Sequence, residues 1–193
     1  DTMTAKLKRG ITKVKDPGSA LTHFIAMILA IIAAMPLLSK AGHDSGHMHI
    51  SALAIFILSM IGLYAASTIY HTLDISPKIN KLLRKIDHMM IFILIAGTYT
   101  PVCMIVLGDK TGWTMLTLVW GIAIVGILIN ALWITCPKWF SSLIYIAMGW
   151  VCILAITKIL SSMPRAGFMW LLAGGIIYTV GGIIYAMKLP FFN

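Results

Sequence analysis

Six long apolar stretches run through this 193-residue chain and restrict its fold more than any other feature. They cover approximately residues 21–39, 50–73, 86–107, 112–134, 139–160 and 166–187. About 20 apolar residues in an α-helix are long enough to cross the ~30 Å hydrocarbon core of a bilayer. Strands of a membrane β-barrel are shorter and alternate polar with apolar residues, which these stretches do not. The sequence therefore predicts an all-α, polytopic transmembrane helix bundle in the cell membrane.

The composition excludes a soluble domain and several kinds of chemistry. Hydrophobic residues make up 60% of the chain and charged residues only 11%, whereas about a quarter of a typical soluble domain is charged. All six acidic residues are aspartates. The absence of glutamate excludes the H-E-x-x-H metalloprotease helix and glycoside hydrolysis by glutamates.

The basic residues predict how the chain is oriented in the membrane. Fifteen Lys and Arg residues give a formal net charge of +9, which in a soluble protein would indicate a nucleic-acid partner. If the N-terminus is cytoplasmic, most of them fall on cytoplasmic segments, as the positive-inside rule requires. We therefore expect no nucleic-acid partner, a basic cytoplasmic segment at residues 1–20 and a single transmembrane domain at residues 21–193.

A few ionisable side chains lie in the apolar stretches, where such groups are costly and point to function. His23 begins the first predicted span, His71 ends the second, and Asp87 and His88 begin the third. Because successive spans run in opposite directions, all four are expected at a similar depth near the cytoplasmic face. Ser67 precedes His71 by one helical turn, so the two share a helix face. The alternative is that these side chains only reach water at the headgroup interface.

Other candidate residues carry weaker signals. The first external loop contains three histidines that could bind a metal weakly, but a solvated loop is the simpler interpretation, and the three cysteines are too dispersed for a metal motif or a disulfide framework. Four glycines of the last span fall on one face, which favours close helix packing. These residues are His43, His47 and His49; Cys103, Cys136 and Cys152; and Gly174, Gly175, Gly181 and Gly182.

The segment from Ser67 to His71, followed by Asp87, resembles the S-x3-H…D pattern of the hemolysin III family. That family belongs with the progestin and adipoQ receptors and is related more distantly to alkaline ceramidases. The resemblance extends from Asp16 onward and includes Thr22-His23, Ile95-Ala-Gly-Thr-Tyr-Thr-Pro101 and Lys188-Leu-Pro190.

The resemblance implies seven helices, a cytoplasmic N-terminus and a Zn²⁺ ion near the cytoplasmic face. It implies that His71 is a zinc ligand, that Asp87 holds the water at the metal and that Ser67 has a supporting polar role. The other family ligands form an H-x3-H pair on the seventh helix, and no such pair follows His71 here. We therefore expect six of the seven spans in this chain, with His23 and His88 as supporting residues.

These features predict a zinc-dependent, ceramidase-like hydrolase of a lipid amide or ester. Asp87 would deprotonate the attacking water, Ser67 would donate a hydrogen bond to the oxyanion, and membrane lipids would be both partners and substrate. Two alternatives stay open at this point: a cytolytic, pore-forming protein, and a receptor-like sensor in which zinc is structural. The sequence does not indicate an oligomeric state.

Overall fold

The computed structural model describes residues 14–44, 46–132 and 138–187, and nearly all of them are helical. The α-helices are α1 (Pro17–Asp44), α2 (His47–Thr72), α3 (Pro77–Pro101), α4 (Lys110–Leu132), α5 (Lys138–Gly149), α6 (Ile156–Ser162) and α7 (Arg165–Met187). A π-helical segment, Val102–Leu107, continues α3, and a 3-10 segment, Trp150–Ala155, joins α5 to α6.

Within the described ranges, six helical segments are long and apolar enough to cross a membrane. They are Pro17–Gly42, His47–Thr72, Pro77–Leu107, Lys110–Leu132, Trp139–Ser162 and Arg165–Tyr185. Each overlaps one of the six predicted spans. The prediction of an all-α polytopic bundle is therefore confirmed, whereas the orientation of the N-terminus stays a prediction.

Two boundaries differ from those that the apolar stretches indicate. The third helix begins at Pro77 rather than near residue 86, because its first turns are basic but still helical. Asp87 and His88 consequently lie about three turns inside α3. The expected first loop is also mostly helical, since α1 ends at Asp44 and α2 starts at His47. His47 and His49 therefore belong to a helix, while the side chain of His43 and all of Cys136 lie outside the described residues.

The chain divides into two compact units, Asp1–Gly97 and Thr98–Asn193, and the prediction of a single domain for residues 21–193 stays a prediction. In the first unit, α1 packs along α2. The helices α2 and α3 approach closely, because a Cβ added at Gly97 would overlap the Ser59 side chain. Ser59 itself is buried and donates its hydroxyl to the Phe56 carbonyl at 2.7 Å. Small residues allow this close backbone approach between membrane helices.

In the second unit, Tyr99 joins the end of α3 to the irregular segment after α5. Its hydroxyl donates to the Gly149 carbonyl at 2.7 Å and accepts from the Cys152 amide at 2.9 Å. Nearby, Trp120 Nε1 donates to Thr100 Oγ1 at 3.2 Å. Cys103 is buried in this core as a small packing residue.

The glycine face predicted on the last span packs only in part. A Cβ added at Gly182 would lie 3.0 Å from the Ile146 side chain, so this glycine allows α7 to approach α5. Gly174, Gly175 and Gly181 have open space where a Cβ would be. Close packing within the second unit therefore requires one of the four glycines.

Candidate functional site

The candidate site lies in the first unit, where the last turn of α2 meets the start of α1. His71 Nδ1 lies 3.1 Å from the Asp16 carboxylate oxygen Oδ2. The His71 side chain is 23% exposed and that of Asp16 is 47% exposed, so both side chains are partly accessible at the surface. A carboxylate only accepts hydrogen bonds, so a hydrogen bond at this distance is one that Nδ1 of His71 donates.

The residue pair Lys15 and Asp16, here called the N-terminal strap, also binds α2 through its backbone. The Asp16 amide donates to the His71 carbonyl at 2.9 Å, and the Lys15 amide donates to the Thr72 carbonyl at 3.3 Å. The Lys15 ammonium lies 3.7 Å from the centre of the Tyr70 ring, a cation–π contact. These bonds occupy carbonyls at the C-terminal end of α2 that have no partner within the helix.

Asp16 is also the N-terminal cap of α1. Its Oδ2 accepts from the Ser19 hydroxyl at 2.7 Å, and its Oδ1 accepts from the Ser19 amide at 3.4 Å. The Ser19 hydroxyl, together with His71 nearby, holds the pKa of Asp16 below its usual value. Asp16 therefore fixes two things at once, the first turn of α1 and the ring of His71.

His23 lies two turns further along α1 and faces α2. Its ring centre is 5.7 Å from that of His71 and 5.9 Å from that of Tyr64. Its Nδ1 is buried without a hydrogen-bond partner. Tyr64 and His71 are seven residues apart on α2, so they project from one face of the helix.

The other sequence-predicted site residues lie on α2 and α3. Asp87 on α3 is half-buried and lies within electrostatic range of His23. Ser67 is 2% exposed, one turn before His71 on α2. His88 follows Asp87 and is half-buried, but adjacent helical residues point about 100° apart, so the two do not share a face. We call Asp16, His23, His71 and Asp87 the polar cluster.

The comparisons with known proteins identify the family. The family model described as "Haemolysin-III related" matches residues 11–191. The chain belongs to the haemolysin III family. It is 40% identical over 191 residues to "Hemolysin-3" of Bacillus cereus, a match that covers 98% of this chain and 87% of that protein. It is 37% identical over 178 residues to "Hemolysin-3 homolog" of Bacillus subtilis (strain 168), covering 92% of this chain and 83% of that protein.

Family membership and the six helices together show a multi-pass integral membrane protein of the haemolysin III type. The exposed side chains agree with this. Trp170 on α7, Leu132 on α4 and Met35 on α1 are 81%, 79% and 78% exposed. Apolar side chains of this size, exposed along long helices, are suited to contact with lipid rather than water.

The zinc that the haemolysin III resemblance implies can be compared with the donors present. Among the residues that the structure describes, no three His, Cys or Asp side chains come together as a metal-binding group. His71 lies at the cluster with Nδ1 directed at Asp16, which leaves Nε2 as its one ring nitrogen for a metal. The described residues therefore do not fit a complete zinc site by themselves.

Sequence reasoning missed one member of the polar cluster, Asp16, because it was counted with the basic N-terminal segment. The signal that could have found it is local. Asp16 stands directly before Pro17, and Ser19 follows three residues later, which is a typical start of a helix. A capping carboxylate at that position lies at the same end of the first unit as His71, because α1 and α2 run in opposite directions.

Proposed function

We propose that this haemolysin III-type protein is a membrane hydrolase that cleaves an amide or ester bond in a lipid at the polar cluster. One observation carries the proposal: His71 lies against Asp16 and His23 at one end of α1 and α2, and Asp87 of α3 lies within electrostatic range of His23. Ionisable groups in such a place are costly unless they serve a function. Zinc bound through His71 belongs to the proposal as an expectation from the family, since the described residues supply only that ligand.

The surroundings of the cluster favour a lipid substrate. Phe24 and Ile25, next to His23 on α1, are 45% and 48% exposed, and Leu21 one turn earlier is 59% exposed. An acyl chain could lie against these apolar side chains while its amide or ester group reaches the polar cluster. A water-soluble substrate would find little polar surface on this part of α1.

The residues of the cluster would divide the chemistry among them. An aspartate carboxylate can accept a proton from an attacking water, and Asp87 is the carboxylate of α3 at the cluster. Ser67 would donate its hydroxyl to the oxygen that becomes negative as the carbonyl is attacked. His71, with its ring fixed by Asp16, would present its second nitrogen, Nε2, to the site.

The test is hydrolysis by the purified protein in liposomes that contain ceramide and phospholipid, with released fatty acid measured by mass spectrometry. His71→Ala and Asp87→Asn are each expected to lower the rate by about 10²-fold or more. His47→Ala is the matched control, because His47 is exposed at the opposite end of α2. Wild-type release that persists unchanged in both site variants would overturn the proposal.

The zinc expectation has a separate test. Metal analysis of the purified wild type should find zinc, and His71→Ala should bind less of it, with His47→Ala again as the control. Equal zinc in the wild type and in His71→Ala would show that His71 is not a ligand.

The name given to the relatives favours a second candidate function, lysis of membranes. A pore requires polar residues along the length of several helices, whereas the polar cluster lies at one end of α1–α3. Leakage of a small dye from liposomes distinguishes the two functions. Hydrolysis without leakage supports the enzyme, and leakage that His71→Ala and Asp87→Asn leave unchanged supports the lytic protein.

A further inference from the structure

The N-terminal strap makes more contacts with α2 than capping of α1 requires. Its two residues form two backbone hydrogen bonds, one contact between the Asp16 carboxylate and His71 Nδ1, and one cation–π contact, all with Tyr70, His71 and Thr72. Capping of α1 needs only the bonds between Asp16 and Ser19. The additional contacts all end on the last turn of α2, which carries His71.

We propose that Asp16 is a positioning residue that holds His71 in one tautomer and one ring orientation. This inference rests on the proposed function, in which His71 acts at the site. Asp16 does not itself touch the substrate. It acts on the reaction through His71, by keeping the proton on Nδ1 and leaving Nε2 as the nitrogen available to the site.

The geometry supports this role in three ways. The Asp16 backbone is tied to His71 by a 2.9 Å hydrogen bond, so the carboxylate cannot drift away from the imidazole. Ser19 donates to the carboxylate twice, from its hydroxyl to Oδ2 at 2.7 Å and from its amide to Oδ1 at 3.4 Å, and the amide bond does not depend on the Ser19 side chain. The ring of Tyr70, 4.8 Å from that of His71 and edge-on, restricts rotation of the imidazole on the adjacent side.

A neutral histidine without such a partner exchanges its proton between the two ring nitrogens. The hydrogen bond made by one nitrogen decides which nitrogen carries the proton. Removal of a carboxylate that orients a metal-binding histidine in this way typically lowers metal affinity or activity 10–100-fold. Loss of the Asp16 carboxylate is therefore expected to leave the fold intact and to allow both tautomers of His71.

The experiment separates positioning from capping. Asp16→Ser keeps a good helix cap, but its side chain is too short to reach the imidazole. Ser19→Ala is the matched control, because it removes a capping bond and leaves the carboxylate on His71. Full-length protein labelled with ¹⁵N-histidine is measured by NMR in detergent micelles at about pH 8, where an ordinary histidine is neutral. A His71→Gln spectrum identifies the His71 signals.

We expect the wild type and Ser19→Ala to show Nδ1 protonated and Nε2 unprotonated, and Asp16→Ser to show a mixture of both tautomers. We also expect Asp16→Ser to lower lipid hydrolysis about 10–100-fold. The same single tautomer in Asp16→Ser would overturn the inference, as would an equal mixture in Ser19→Ala. Circular dichroism confirms that each variant is folded.

The tautomer is read without any turnover, so the two proposals can fail separately. If the wild type hydrolyses no lipid, and Asp16→Ser shows both tautomers where the wild type shows one, the hydrolase proposal is overturned and the positioning role is kept. If the wild type hydrolyses lipid, and Asp16→Ser shows the same single tautomer as the wild type, only the positioning role is overturned.

Discussion

A charged side chain in an apolar helix needs a partner or a route to water, and Lys158 has both. It lies on α6 and donates to the Asp109 carboxylate and, at 3.1 Å, to Thr111 Oγ1. Asp109 follows Gly108, whose left-handed φ of 59° ends the π-helical segment, and it accepts from the first amides of α4. Asp109 thus caps α4 and also forms an ion pair with Lys158.

The Asp109 ion pair should contribute to stability in a pH-dependent way. Lys158 and the amides of Thr111 and Gly112 hold the pKa of Asp109 below its usual value. The stabilisation is therefore fully present above pH ~4, the unfolded value, and is lost as the pH falls through the lower folded value. Asp109→Asn keeps the cap and removes the charge, so at pH 7 it should lower the melting temperature by at most a few degrees.

The low-pH measurement is the control for this prediction. As the pH falls through the lowered pKa of Asp109 the wild-type carboxyl becomes protonated, and the difference in melting temperature between the two proteins should shrink. Lys158→Gln should reproduce the effect of Asp109→Asn at pH 7, and the double variant should lose little more. A difference between wild type and Asp109→Asn that is independent of pH would contradict the electrostatic explanation.

Composition could identify most of the site residues but not all of them. His23, His71 and Asp87 stand out because ionisable residues are rare in this chain, and the alternation of span direction predicts their similar depth. Asp16 could not be distinguished from its polar neighbours by composition, since its partner His71 is distant in sequence. The distances among these groups depend on how α1 packs against α2, which the sequence pattern does not contain.

At the scale of the elements, the span Trp139–Ser162 illustrates what hydropathy cannot detect. Its apolar run is continuous, yet α5 ends at Gly149 and a 3-10 segment follows before α6. A change from α to 3-10 geometry alters which backbone groups are paired, and in an apolar surrounding each unpaired group is costly. The hydroxyl of Tyr99 bonds the Gly149 carbonyl and the Cys152 amide at this junction. The sequence predicts the helix but not this break, because the break depends on Tyr99, which belongs to another span.

Tyr99→Phe should therefore destabilise the protein while preserving the shape of the side chain. It leaves the partly buried Cys152 amide and Gly149 carbonyl without the tyrosine hydroxyl, and the net loss of such a hydrogen bond typically costs about 0.5–1.5 kcal/mol. Tyr178→Phe is the matched control, because the Tyr178 hydroxyl is buried without a hydrogen-bond partner and its removal should cost nothing. Thermal unfolding in one detergent measures both variants. Equal melting temperatures for Tyr99→Phe and the wild type would show that the bonds at the break are not stabilising.

Two properties of the chain determine how it lies in the bilayer: its apolar surface determines the spans, and its distribution of charge determines their orientation. Hydropathy predicts the spans closely, because each helix needs apolar side chains along the length that contacts lipid. Direction is a different matter, since it depends on a small bias in the placement of basic residues. Lys78, Lys81 and Arg84 are exposed on the first turns of α3. They are three of the eleven basic residues that would lie on the cytoplasmic side if the N-terminus is cytoplasmic.

The predicted orientation can be tested with two exposed lysines at opposite ends of neighbouring spans. Lys78 begins the third span and Lys110 begins the fourth, and because successive spans run in opposite directions the two should face opposite sides of the membrane. A membrane-impermeant maleimide added to intact cells should label Lys110→Cys but not Lys78→Cys, and permeabilised cells should label both. Wild-type protein gives the background from the native cysteines. Labelling of Lys78→Cys alone in intact cells would place the N-terminus outside and, with it, the polar cluster at the external face.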